Sequence, residues 1–179
     1  MTQNTKIFAI FNAVWFQAGW WLAILQQDLV IGWLVLGLVL HWVVSPHRLS
    51  DLTIMACVVP VGGLFDGLMS YTGVIGFRGG EAILGVPVWL ILVWCYFACT
   101  LNHSMAWLAG IPKLWLAGIG AISAMASYYG GARLDAAEIP HFVWFAASYS
   151  GFWGLLLLSI FSDQSRFIRR PHSAQCGCG

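Results

Sequence analysis

Charge is scarce in this sequence. Its 179 residues include eight Lys and Arg and seven Asp and Glu, 8% in all. A soluble domain carries about 25%. The shortage excludes an ordinary water-soluble globular domain, and with a net charge of +1 no nucleic-acid partner is expected. Lysine occurs only at Lys6 and Lys113, neither of them mid-way along an apolar run, which excludes a retinal Schiff base. The five histidines are scattered over four regions, unlike the dense clusters of membrane di-iron desaturases. There is no GxGxxG, P-loop, HExxH or GxSxG. The five cysteines make no disulfide framework. Cys57, Cys95 and Cys99 lie in apolar runs, where cysteine acts as a small hydrophobe, and Cys176 and Cys178 lie in the tail. Two thiols make an incomplete metal site. No metal ligand and no cofactor is predicted.

Apolar residues are abundant: 60% of the chain, with mean hydropathy +0.79. They come in blocks nearly free of charge, at 7–25, 29–45, 52–76, 86–108, 114–130 and 141–161. Backbone groups in lipid find no water, so each block must satisfy itself as a helix. The expected fold is all-α, a polytopic transmembrane bundle of about six spans. The domain is drawn at 1–165, with a short basic, Cys-containing tail at 166–179. The first block lacks a small-residue cleavage site and is expected to be a retained helix.

With six spans both termini share a side. That side holds Lys6, Arg48, Lys113, Arg166, Arg169 and Arg170, and the other holds Arg78 and Arg133. The bias predicts cytoplasmic termini. Trp20, Trp21, Trp33, Trp89 and Trp144 fall near the outer ends and Trp42, Trp107 and Trp115 near the inner ends, as interfacial belts require. Trp15, Trp94 and Trp153 are left mid-span and are assigned to packing. The loop 130–141 is the most charged and is expected to be solvated.

The polar residues inside these blocks are the candidates for chemistry. Asp66 is the only acid well inside a block. It stands 12 residues from Arg78, about 18 Å along a helix. Gly62, Asp66, Ser70 and Gly73 share a helical face, and Gly63 with Gly67 forms an adjacent GxxxG. Asp66 is therefore expected to face protein, since a charge in lipid is costly. In the fourth block Tyr96, Cys99, Asn102, His103 and Ala106 form an inward stripe. Trp94, Phe97, Leu101, Met105 and Leu108 form a second stripe, one that can meet lipid. Asn12 and Gln17 in the first block complete the polar set, and all are expected to face one interior cavity.

The stretches "FNAVWFQAGWW", "GGLFDGLMSYTGVIGF" and "VPVWLILVWCYFACTLNHSMAWL" together resemble a bacterial membrane family known as domain of unknown function 2878. The matching positions are Asn12, Gln17, Asp66, Pro87, Trp89, Thr100, Leu101, Asn102, His103 and Ser104. "SYYGGARLDA" resembles the family pattern less closely, and the Cys-rich tail lies outside it. The resemblance implies a bacterial inner-membrane location. Through an association with fatty-acid-modifying genes it also implies a lipid-linked role, and it implies no established activity.

Four functions are compatible with these residues. The first is an enzyme or accessory factor acting on membrane lipids or another lipid-soluble molecule. Asp66 and His103 would be its acid–base groups, and Asn12, Gln17, Asn102 and Tyr96 its substrate contacts. The second is a small-solute or proton-coupled carrier with Asp66 titrating. The third is a structural partner of another membrane protein, or a homo-oligomer. The fourth is a b-type haem protein ligated by His41 and His103, for which nothing else speaks.

Overall fold

The computed structural model describes residues 3–167. The chain is mostly helical, 79%. Its elements are α1 (Gln3–Gln26), α2 (Ile31–Val44), α3 (Arg48–Tyr71), β1 (Gly76–Phe77), β2 (Ala82–Ile83), β3 (Val86–Pro87), α4 (Val88–Leu101), α5 (Lys113–Arg133), β4 (Ala137–Glu138) and α6 (Phe142–Phe167). Single 3-10 turns, Gln27–Val30 and Ala106–Gly110, lead into α2 and towards α5. Cys176 and Cys178, with Arg169 and Arg170, lie outside the described residues.

Local chemistry sets the breaks. α1 and α2 read as one apolar run, Lys6–Val44, but Gln27 adopts a φ of 49° and the chain folds back. Phe8 and Trp15 of α1 accordingly face His41 near the far end of α2. α2 stops because Ser45 precedes Pro46. The proline ring drives the preceding residue out of the helical region, and Ser45 sits at φ −63°, ψ 132°. β2 and β3 form a hairpin through Leu84 and Gly85, at φ 53° and 79°. Such a pair of positive angles suits the strand twist in a two-residue turn. β1 pairs antiparallel with β4, Gly76 opposite Glu138, and so ties the α3–α4 connection to the α5–α6 connection.

Three segments are long and apolar enough to cross a membrane: Lys6–Val44, Arg48–Tyr71 and Phe142–Phe161. α2 and α4 have only 14 residues each, about 21 Å of helix against a hydrocarbon thickness of about 30 Å. The fourth block was expected to continue to 108. Instead α4 ends at Leu101, and the amides of His103 and Met105 both donate to the Thr100 carbonyl, turning the chain.

α4 occupies the centre. The stripe read as able to meet lipid is largely buried: Trp94, Phe97, Leu101 and Leu108 all lie in the core. A helix that is apolar on every side belongs in the middle of a bundle, and α4 is one. The Trp94 ring lies flat on Gly62, where an added Cβ would collide with three of its carbons. The Tyr96 ring lies against Gly19 and Gly37, stacks on Trp15 at 4.0 Å and donates to the Leu34 carbonyl at 3.1 Å. Gly63 meets nothing within 4 Å among the described residues, while Gly67 accommodates the Leu84 carbonyl of the hairpin. The GxxxG is thus not a helix-docking face. The close helix contact runs through Gly62. Trp89, expected at an interface, is buried and donates to the Arg78 carbonyl at 2.9 Å. The outer surface carries exposed Ile10, Val14, Leu22, Leu25, Leu64 and Leu155, while Asn12, His41, Asp51, Asp66 and His103 are buried. Apolar outside and polar inside is the distribution that lipid imposes.

Candidate functional site

The buried polar residues form two clusters on opposite stretches of α3. Asp51 begins that helix and Asp66 lies 15 residues further on, about 22 Å along the axis.

The upper cluster centres on Asp66, which is fully buried. Its Oδ2 accepts from Trp94 Nε1 at 2.8 Å and from the Tyr128 hydroxyl at 2.9 Å. Its Oδ1 accepts from the Tyr149 hydroxyl at 3.0 Å. α3, α4, α5 and α6 each contribute one of these side chains, so the carboxyl is a four-helix junction. Beside it is an apolar cavity between α1, α4, α5 and α6, lined by aromatic residues that include Phe16, Trp20, Trp89, Trp94, Phe97, Tyr128 and Trp153. Ser127 is a polar side chain on its wall, held by Trp20 Nε1 at 3.0 Å. Trp94 and Tyr128 belong both to the cavity wall and to the Asp66 network.

The lower cluster gathers His41, Ser45, Asp51 and His103, all buried. Asp51 Oδ2 lies 3.1 Å from His103 Nε2, 3.4 Å from His41 Nε2 and 2.5 Å from Ser45 Oγ. Asn102 Nδ2 donates to Asp51 Oδ1 at 3.0 Å and to Ser50 Oγ at 2.8 Å. The helix breaks assemble the group. The Ser45–Pro46 turn carries His41 and Asp51 to one level, and the end of α4 swings Asn102 and His103 onto the first turn of α3. Asn12 secures that end. Its Oδ1 accepts from Ser104 Oγ at 2.7 Å and its Nδ2 donates to the Cys99 carbonyl at 3.3 Å. The Trp15 indole stacks on His41 at 4.5 Å, and Phe8 meets His103 edge-on at 4.8 Å.

The six expected site residues are thereby separated. Asp66 stands in the upper cluster. His103 and Asn102 stand in the lower one, with Asn12 fastening the turn beside them. Tyr96 packs among α1, α2 and α4, and Gln17 is exposed on the surface of α1. Asp66 and His103 share no hydrogen-bond partner among the described residues. Asp51 and Ser45 were not singled out from the sequence as members of a site, and His41 entered only as a haem ligand paired with His103. Asp51 falls in a break that reads as an interfacial loop, and only the fold brings it under His103. The one signal available was the placement of His41 and His103 at the same end of the molecule. A haem between those two rings is not the arrangement found, because Asp51 Oδ2 faces both Nε2 atoms. Arg78, which follows β1, reaches the connection after α5, where its guanidinium pairs with Glu138 at 2.7 Å and lies 3.7 Å from Asp135, all three exposed.

A family model described as a protein of unknown function, DUF2878, matches residues 9–159. The chain belongs to this family. The matched stretch of DUF2878 holds both clusters, from Asn12 to Tyr149. No curated protein and no solved structure matches the chain.

Proposed function

We propose that this member of DUF2878 is a multi-pass protein of the bacterial inner membrane, with six crossing helices and cytoplasmic termini. It holds a lipid-soluble molecule in the aromatic cavity and acts on that molecule's polar end through Asp66. One observation carries the reading: Trp94 and Tyr128 are at once walls of the cavity and donors to Asp66. Aromatic walls with a few convergent polar groups are the usual make-up of a small-molecule site. The Tyr128 hydroxyl donates to Asp66, and in this proposal the polar end of the ligand takes a lone pair of the same oxygen. A proton can therefore pass between Asp66 and a bound ligand through this hydroxyl, the geometry that general acid–base work requires.

The test is extraction. Protein purified in mild detergent is treated with organic solvent, and the extract is analysed by mass spectrometry, wild type against Val93→Trp. Val93 lines the cavity, and an indole there fills it. Wild type should yield a lipid-soluble compound enriched over bulk membrane lipid, and Val93→Trp, checked for folding by gel filtration and circular dichroism, should not. Identical extracts from two equally folded proteins would defeat the proposal.

A further inference from the structure

The lower cluster lies apart from the cavity and suits a different task. We propose that His41, Asp51 and His103 bind a divalent first-row transition-metal cation. Each offers one donor atom, and the three atoms lie within 4.8 Å of one another. Metal–nitrogen and metal–oxygen bonds of about 2.0–2.2 Å place neighbouring ligand atoms roughly 3–4 Å apart. The Asp51 Oδ2 separations from the two Nε2 atoms, 3.1 and 3.4 Å, already fall in that range.

The hydrogen bonding points the same way. Both imidazole Nε2 atoms converge on one oxygen, Asp51 Oδ2. His103 makes a hydrogen bond there. His41 does not, and among the described residues neither of its ring nitrogens has a hydrogen-bond partner, although its side chain is only 2% exposed. A buried polar group without a partner is destabilising. A cation seated among the three donor atoms satisfies His41 Nε2 and explains why the two rings meet at a single oxygen.

Two neutral nitrogens and one carboxylate form the donor set that suits iron(II), manganese(II), cobalt(II), nickel(II) or zinc, and not the all-oxygen sites of magnesium and calcium. Three protein ligands leave further positions open, as in reactive and not purely structural sites. Side chains outside the set fix its geometry. Asn102 holds the free oxygen of Asp51, and the Trp15 stack sets the plane of His41. Such supporting contacts are usual around ligating residues. The exposed His47 ring stacks on the His103 ring at 5.8 Å, so one ligand lies next to the surface and a cation has a short path to it.

The experiment uses full-length protein without a histidine tag and with Cys176→Ser and Cys178→Ser, so that tail thiols contribute nothing. The protein is treated with chelator, loaded separately with zinc, manganese(II) or cobalt(II), desalted, and analysed for metal and for thermal unfolding in detergent. At least one cation should remain bound in equimolar amount and raise the melting temperature. His41→Ala removes a buried ring that stacks on Trp15, so the metal-free variant should melt below wild type, and the reading is the further shift that metal adds to each protein. The variant should lose the metal-dependent shift and weaken binding by ~10-fold or more. His103→Ala should do the same. No retained metal in the parent protein, or undiminished binding in both variants, would overturn the proposal.

Discussion

At Asp66 a carboxyl group meets three neutral donors, and among the described residues no Lys, Arg or His joins them. The donors are not equivalent. Trp94 Nε1 can only donate, whereas a tyrosine hydroxyl can turn and accept. In Asp66→Asn the amide oxygen must therefore take the Oδ2 position, and the amide nitrogen can donate to Tyr149. The fold should survive with a melting temperature close to that of wild type, because a buried charge is removed while the Tyr149 hydroxyl hydrogen loses its acceptor. If the carboxyl does acid–base work, the same variant should fail to complement a deletion strain while being equally abundant. Full complementation would refute that role. Tyr149→Phe is the structural contrast. It leaves Oδ1 without a donor, and the expected destabilisation is about 1–3 kcal/mol, read from thermal unfolding in detergent.

Among the elements, α3 and α4 meet where a glycine admits an indole. Trp94 is held by its bond to Asp66 and so cannot yield to a larger residue at position 62. Gly62→Ala should destabilise by about 1–3 kcal/mol through overpacking. Gly63→Ala, one position on, meets open space. It should be neutral or stabilising by up to about 1 kcal/mol, since alanine is the better helix former. Equal effects at the two positions would mean that the packing of α4 on α3 is not as described. The fourth apolar block reads as a single span because hydropathy registers no break at Leu101. The break is nonetheless signalled, since Asn102, His103 and Ser104 can each bond to backbone or to neighbouring side chains and so compete with the helix. Once turned, they reach Asp51 and Asn12.

For the whole molecule the proposed six-span arrangement makes a prediction about sidedness. Six helices with cytoplasmic termini place Asp135 and Lys113 on opposite sides. Both are exposed. With the native cysteines replaced, Asp135→Cys should react with an impermeant maleimide from the side opposite the termini, and Lys113→Cys only after the membrane is opened. Labelling of both from one side would refute the six-span arrangement. α2 and α4 cross only if neighbouring helices shield their ends or the bilayer thins around them. The central position of α4 provides such shielding.

Composition and block pattern were sufficient for the helical class, the membrane-compatible surface and the approximate positions of six helices, whereas the family was legible only as a resemblance of particular motifs. The first three follow from local hydropathy, which needs no knowledge of what lies opposite. The burial of Asp66 was legible for the same reason, since lipid excludes an acid from its own surface. What lies opposite each polar residue was not legible. Asp51 reads as an interfacial residue until the Ser45–Pro46 turn and the end of α4 bring His41 and His103 to it. Phe97 reads as lipid-facing until the fold buries it against Trp94 and Trp153. One interior cavity for Asp66 and His103 was the natural expectation, because both face inward. The rise of α3 from Asp51, which meets His103, to Asp66 is about 22 Å and divides the polar interior in two. A helical period specifies the face of a residue and not its partner, and partners are decided by where helices stop, turn and cross.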